Sequence, residues 1–176
     1  QNNVEWIAQT PFGWQSGINN PAIRLNRGAS WWGESNRGIR ETTRMARKYG
    51  IKTLLKPHVW LSRAEGKWRG DIAMDSEAEW KAWFESYTTF IIHYAKLTQE
   101  LGIESLCMGM ELHRAAVERD ADWRNVICDV RAVYTGKLVY GANWFEEFEQ
   151  ILFWDELDYI GVQAYFPLTD RVNPNR

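Results

Sequence analysis

Short apolar runs and helical periodicities take turns along this chain in a nearly strict order, and that alternation constrains the fold more than any other feature. The runs Val4 to Thr10, Ile51 to Trp60, Ile103 to Leu112, Lys137 to Trp144 and Leu157 to Phe166 read as five strands. Between them, Ser76 and Glu79 form the signature of a capping box. Trp80, Trp83, Phe84, Tyr87, Phe90, Ile91, Tyr94, Leu97 and Leu101 then recur at helical spacing up to Gly102. Asp122 can cap a second helix carrying Trp123, Val126, Ile127, Val130 and Val133 on one face, with Gly136 as its stop. A less regular helix is expected from Ser35 to Tyr49, and a short one after Trp144 running through Ile151 to Trp154. Strand and helix in alternation argue for parallel strands joined by right-handed crossovers, hence an α/β sheet or barrel in one domain spanning residues 1–176.

Closure can be argued from where the polar residues fall. Trp14 and Gln15 follow the first strand, and Lys56, His58 and Trp60 close the second. Glu111 and His113 close the third, Asn143 and Trp144 the fourth, Gln163 and Tyr165 the fifth. The C-terminal ends of parallel strands carry the site in both barrels and open sheets. Five strands feeding one rim favour the (β/α)8 TIM barrel, although eight βα units take about 250 residues and this chain shows five strands.

Composition narrows the partners. Lys and Arg number 21 against 23 Asp and Glu, a net charge of −2 without a long basic block, so nucleic acid is not expected as a partner. No window reaches the roughly 18 apolar residues of a membrane span, and the N-terminus shows no signal segment. The two cysteines, Cys107 and Cys128, exclude a disulfide framework and read as buried free thiols. A glycine-rich phosphate loop is missing and His58, His93 and His113 lack ligand spacing, so neither a cofactor nor a metal is expected. Nothing sets the oligomeric state.

Glu111 is the sharpest single residue. It ends the run Leu106-Cys107-Met108-Gly109-Met110, apolar enough to be buried on both faces, where a carboxylate is costly unless used or paired. Two readings stand side by side: a functional carboxylate, or a structural ion pair with Lys56 or Arg114. Lys56 and His58, two apart on one strand, would face the same side at the barrel mouth. The 11 tryptophans outnumber the 7 tyrosines and the 7 phenylalanines. Trp80, Trp83 and Trp123 belong to helix faces, whereas Trp14, Trp31, Trp32, Trp60, Trp68 and Trp144 fall on loops or strand ends. There they serve either as rim packing or as flat platforms for sugar rings, with Asn143, Gln163 and His58 as partners for hydroxyls.

The segments Thr10 to Gln15, Trp31 to Ser35, Leu55 to Trp60, Trp68 to Asp71, Met108 to Leu112, Tyr140 to Trp144 and Asp158 to Leu168, in this order and spacing, resemble glycoside hydrolase family 113. That family comprises β-mannanases of a clan of retaining (β/α)8-barrel glycosidases. The resemblance implies that the five strands are the second to sixth of a barrel, with the chain an internal fragment of it. It also implies that Glu111 is the acid/base glutamate and that the nucleophile, a glutamate on the seventh strand, lies beyond residue 176. Met110 stands where the wider clan commonly has Asn, and Tyr165 matches a tyrosine that lies beside the nucleophile. The implied substrate is an oligo- or polysaccharide, most specifically β-1,4-mannan, and such a substrate suggests a secreted or periplasmic protein. A non-catalytic carbohydrate-binding relative and another β-glycanase of the clan are the alternatives. Should the second carboxylate lie within this chain, Glu146 and Asp155 are the candidates.

Overall fold

The computed structural model describes residues 3–25 and 31–170. Its main sheet has five parallel strands in the order β1-β4-β6-β7-β8: β1 (Trp6–Gln9), β4 (Lys52–Leu55), β6 (Ser105–Met110), β7 (Lys137–Asn143) and β8 (Tyr159–Gln163). Between β1 and β4 in sequence come β2 (Phe12–Gln15), β3 (Ile23–Leu25) and α1 (Asn36–Lys48), with β5 (His58–Leu61) directly after β4. Further helices are α2 (Glu77–Leu101), α3 (His113–Glu118), α4 (Asp120–Arg131) and α5 (Glu147–Gln150). Parallel strands joined by helical crossovers make this a partial (β/α)8 barrel, as expected.

One expectation is corrected here. The run from Ile51 to Trp60 is two strands, because Pro57 interrupts it, and the neighbouring chain is interrupted at Pro11 in matching register. Proline lacks the N–H a ladder needs. The pairing nevertheless continues across the break, with Lys56 N–H donating to Gln9 O at 2.8 Å and His58 N–H to Pro11 O at 2.9 Å. Beyond the prolines, β2 pairs in parallel with β5 and antiparallel with β3, forming a second sheet in the order β3-β2-β5 above the main one. Lys56 and His58 thus belong to different segments rather than one strand.

The helices follow their sequence signals closely. Ser76 Oγ accepts from Glu79 N–H at 3.3 Å, and Gly102 ends α2 with a left-handed φ of 59°. Arg47 of α1 donates to the carbonyls of Leu101 and Gly102 at 2.8 Å, which ties two helix C-termini together. The second capping expectation fails. Helix α4 begins at Asp120 after Arg119, and Asp122 sits in its first turn, where Arg119 Nε donates to it at 2.8 Å. The one-turn-and-a-half α3 had no signal of its own. Cys107 is buried as expected, whereas Cys128 is exposed on α4.

The core lies between the main sheet and α2 and α4, and it is built from rings. Trp83 stacks on Tyr87 at 5.0 Å, Trp123 stacks on Phe153 at 5.4 Å, and Tyr87, Trp123 and Tyr140 meet edge to face. Every residue of β6 is buried, so its C-terminal end leaves the core directly at Glu111. The other face of the main sheet carries an apolar hollow of about 470 Å³ lined by residues including Trp6, Ala8, Leu54, Ser105 and Tyr159. It includes the first residues of β1, β6 and β8, away from the strand ends where barrel sites form. Among the described residues no helix is long and apolar enough to cross a membrane.

Candidate active site

Glu111 follows β6 with a φ of 51°, a left-handed conformation that a non-glycine residue adopts only where its surroundings dictate it. Its N–H donates to Gly141 O on β7 at 2.9 Å, just past a register irregularity between β6 and β7. The strained turn aims the side chain out of the core, and the carboxylate remains largely shielded.

Its cationic neighbour is Arg69. Nη1 of Arg69 donates to Glu111 Oε2 at 3.4 Å and lies 3.5 Å from His58 Nδ1. The ion-pair reading of Glu111 had named Lys56 or Arg114, and the contact corrects it. Arg114 instead pairs with Glu118 along α3, at 2.8 Å. Arg69 is set by a short turn in which Trp68 N–H donates to Asp71 Oδ2 at 3.0 Å. A Cβ on Gly70 would come within 2.3 Å of the Trp68 ring, so glycine lets that ring fold over the turn.

An arginine only donates, so His58 Nδ1 is the acceptor and the proton resides on Nε2, which is buried with no hydrogen-bond partner among the described residues. Burial, then the charges of Arg69 and Lys56, push the His58 pKa down to about 3. The imidazole is therefore neutral at working pH. Lys56 also acts on the buried Cys107 thiol, although burial dominates there and raises its pKa. Lys56, His58, Arg69 and Glu111 form one polar cluster where β4 and β6 end and β5 begins.

The second sheet extends this cluster with aromatic surface. Phe12 and His58 are paired in register with ring centroids 5.3 Å apart, and the next pair on the same face, Trp14 and Trp60, lies 6.5 Å apart. Trp14, Trp60 and Trp68 are 38%, 46% and 41% exposed, substantial for indole rings with packing partners. Trp60, Trp68 and Arg69 also line a cavity of about 160 Å³.

Other sequence-predicted residues are placed differently. Gln15 is wholly buried and its carboxamide is used internally, Oε1 accepting from Trp83 Nε1 at 3.0 Å and Nε2 donating to Gly17 O at 2.7 Å. It is a core residue with no surface for a ligand. Asn143 Oδ1 accepts from Phe145 N–H at 2.9 Å and so shapes the turn after β7. Trp144 packs on Phe145 and on Phe166. Gln163 ends β8 beside Gly141, and Tyr165, 77% exposed, lies beyond that strand. Among the described residues no hydrogen bond or ion pair joins Asn143, Gln163 or Tyr165 to Glu111. Asp155 is bound up in an ion pair with Arg124 at 2.8 Å, and Glu146 is exposed at the turn before α5.

Sequence reasoning missed Arg69 and also Glu147. The Glu147 side chain is wholly buried beneath the rim, with Oε1 accepting from Tyr140 OH and Oε2 from Asn143 N–H, both at 2.7 Å. Burial pushes this carboxyl above the usual carboxylate range, the two hydrogen bonds draw it back, and the negative charge of Glu111 adds to the rise. Among the described residues no group of three or more His, Cys, Asp or Glu side chains could hold a metal ion.

A partial (β/α)8 barrel with an acidic residue in a strained turn at a strand end, bordered by indole rings, defines the class of structure. The chain belongs to Glycoside Hydrolase Family 113, whose model matches residues 1–175. Two solved structures of a GH113 β-1,4-mannanase, one of them a complex, superpose with a TM-score of 0.84 at 29% identity, over 94% of this chain and 53% of theirs. The GH113 β-mannanase AaManA from Alicyclobacillus acidocaldarius, in complex with ManMIm, gives a TM-score of 0.84 at 32% identity over 93% of this chain and 51% of that one. The chain thus spans about half the length of these structures. A comparison with curated protein sequences finds no match.

Proposed function

We propose that the chain carries the acid/base half of a retaining endo-β-glycanase site acting on β-1,4-mannan. The observation that carries this reading is Glu111 itself, at the end of a wholly buried strand, held in a left-handed turn and facing Arg69. In a retaining mechanism one carboxylic acid protonates the glycosidic oxygen while a second carboxylate, about 5–5.5 Å away, attacks the anomeric carbon. The first then takes a proton from the water that releases the sugar. Glu111 fills the acid/base role. Arg69 balances its charge once the proton has left, and the neutral His58 adds none of its own.

The nucleophile is a second carboxylate, which we assign to the protein beyond residue 176. Glu147 is unsuited to attack a sugar, since both its oxygens are hydrogen-bonded inside the core. Trp14, Trp60 and Trp68 supply faces on which pyranose rings stack. That the structural neighbours are β-mannanases supports mannan over other β-glycans.

The test is Glu111→Gln in the full-length protein. Hydrolysis of mannooligosaccharides should fall roughly 10²–10⁴-fold with binding retained, the worth of general acid catalysis. Activity within threefold of wild type on such poor leaving groups would refute the assignment.

A further inference from the structure

The buried Glu147 has no place in the reaction as described, yet the structure connects it to Glu111 through a single side chain. Leu112, the residue after Glu111, donates its N–H to the hydroxyl oxygen of Tyr140 at 2.9 Å. Tyr140 then donates its own proton to Glu147 Oε1 at 2.7 Å, and Asn143 N–H holds Oε2 at the same distance. Together with the bond from Glu111 N–H to Gly141 O, both peptide N–H groups flanking the Glu111 side chain are thereby anchored on β7. A left-handed non-glycine residue persists only under such over-determination.

The proton order in this chain is fixed. A tyrosine hydroxyl has one proton, and when its oxygen accepts Leu112 N–H inside the core, that proton needs a buried acceptor. Glu147 supplies it as a carboxylate, accepting at both oxygens. Tyr140 cannot turn away, since its ring packs edge to face against both Trp123 and Phe153, at 5.4 and 5.5 Å. A buried carboxylate is costly, and a core of aromatic rings would accommodate an apolar residue in its place more cheaply. Its presence calls for a task that charge performs.

We propose that Glu147 is a positioning residue for Glu111, acting through Tyr140 and the Leu112 peptide to hold the acid/base side chain in the left-handed turn that points it at the glycosidic oxygen. This inference rests on the assignment of Glu111 as the acid/base group. Glutamine at 147 cannot substitute, because its amide would either turn N–H groups on Asn143 N–H or face Tyr140 with a donor, leaving the hydroxyl proton without its acceptor.

The experiment compares Glu147→Gln and Tyr140→Phe with Glu111→Gln in the full-length protein, on two substrates. Mannooligosaccharides have a poor leaving group and need the proton, whereas a dinitrophenyl β-mannoside departs without one. The quantity read is kcat/KM, which covers the first, proton-donating step. Both positioning variants should lose about tenfold or more on mannooligosaccharides and several-fold less on the aryl substrate, the same skew as Glu111→Gln in milder form. Tyr140→Phe keeps the ring and its packing, so it carries the test if Glu147→Gln does not fold. Equal losses on both substrates, or no loss on either, would overturn the positioning role while leaving Glu111 in place. Should Glu111→Gln itself show no skew, the acid/base assignment fails and the inference falls with it.

Discussion

Gly109→Ala is the substitution that best tests whether the ring cluster behind β6 is as tightly set as it looks. A Cβ at residue 109 would stand 2.8 Å from Trp123 Cη2, 2.8 Å from Tyr140 Cε2 and 2.9 Å from the Tyr87 hydroxyl. Carbon atoms pack at about 3.5–4.0 Å, so the two ring carbons would have to withdraw by roughly 0.7 Å or more and the hydroxyl oxygen by somewhat less. None is free to do so. Trp123 Nε1 donates to Ala115 O at 3.0 Å, Tyr87 OH to Met108 O at 2.6 Å, and Tyr140 OH to Glu147. Overpacking of a dense core costs about 1–3 kcal/mol, and straining one of these hydrogen bonds adds about 1 kcal/mol. Residue 109 does not have a positive φ, so alanine also returns about 0.4–1 kcal/mol by restricting the unfolded chain. The net expectation is a loss of about 2 kcal/mol, or a fall of about 4–8 °C in Tm for a domain of this size. Thermal melts followed by tryptophan fluorescence and near-ultraviolet circular dichroism measure it. Gly33→Ala is the control, since a Cβ there meets nothing within 4 Å, and it should leave Tm unchanged or slightly raised. A Gly109→Ala protein melting within 1 °C of wild type would show that the cluster yields, and the packing argument would be wrong.

Two further outcomes concern pH and capping. His58 stays neutral in the fold down to about pH 3, whereas the unfolded chain protonates it near pH 6.5. Its contribution is therefore complete above pH 6.5 and is lost as the pH falls toward 3. Allowing for its partial solvent contact, the slope should be about 0.7 kcal/mol per pH unit, half the ideal value. Glu147, with its raised pKa, works in the opposite direction. Urea midpoints at pH 7, 6 and 5 for wild type and His58→Gln isolate the His58 part, and a slope that survives in the variant would assign it elsewhere. Ser76→Ala removes the acceptor for Glu79 N–H and should cost about 1 kcal/mol, read as a fall of about 2–4 °C in Tm; an unchanged melt would mean that Glu79 alone, through its bond to Asp75 N–H, secures the helix start.

The elements that sequence reading recovered are those whose signals are local. Helix α2 announces itself by a cap, a long apolar stripe and a terminal glycine, and β6 by an unbroken apolar run, so Glu111 stood out against its own neighbours. Arg69 did not, because a 3₁₀ turn has no periodicity to depart from and the partner it meets is 42 residues away. Glu147 was harder still. In the stretch Phe145-Glu146-Glu147-Phe148-Glu149 three acids look alike, and only the packing of α5 beneath β7 selects the middle one for burial. Gln15 shows the reverse error: a polar residue at a strand end reads as a ligand until the tertiary fold brings Trp83 against it. The break at Pro57 was legible in principle, since proline in a central strand argues against continuity, and its match with Pro11 across the ladder was the missing half.

The excess of tryptophan has two separate causes, and the two meet at Tyr140. Trp80, Trp83 and Trp123 fill the space between sheet and helices, where large rigid rings bury much area at little entropic cost. Trp14, Trp60 and Trp68 stay partly exposed around the polar cluster. Tyr140 belongs to the first group by its ring, packed against Trp123, and reaches the site through its hydroxyl, which carries the peptide after Glu111. A change deep in the ring cluster therefore moves the hydroxyl, and with it the geometry of the strained turn. Stability and the aim of Glu111 are coupled through one side chain, so core substitutions that touch Tyr140 should lower activity on poor leaving groups before they unfold the protein. Substitutions on the far side of the same core, at Phe90 or Ile91, should follow the loss of folded protein alone.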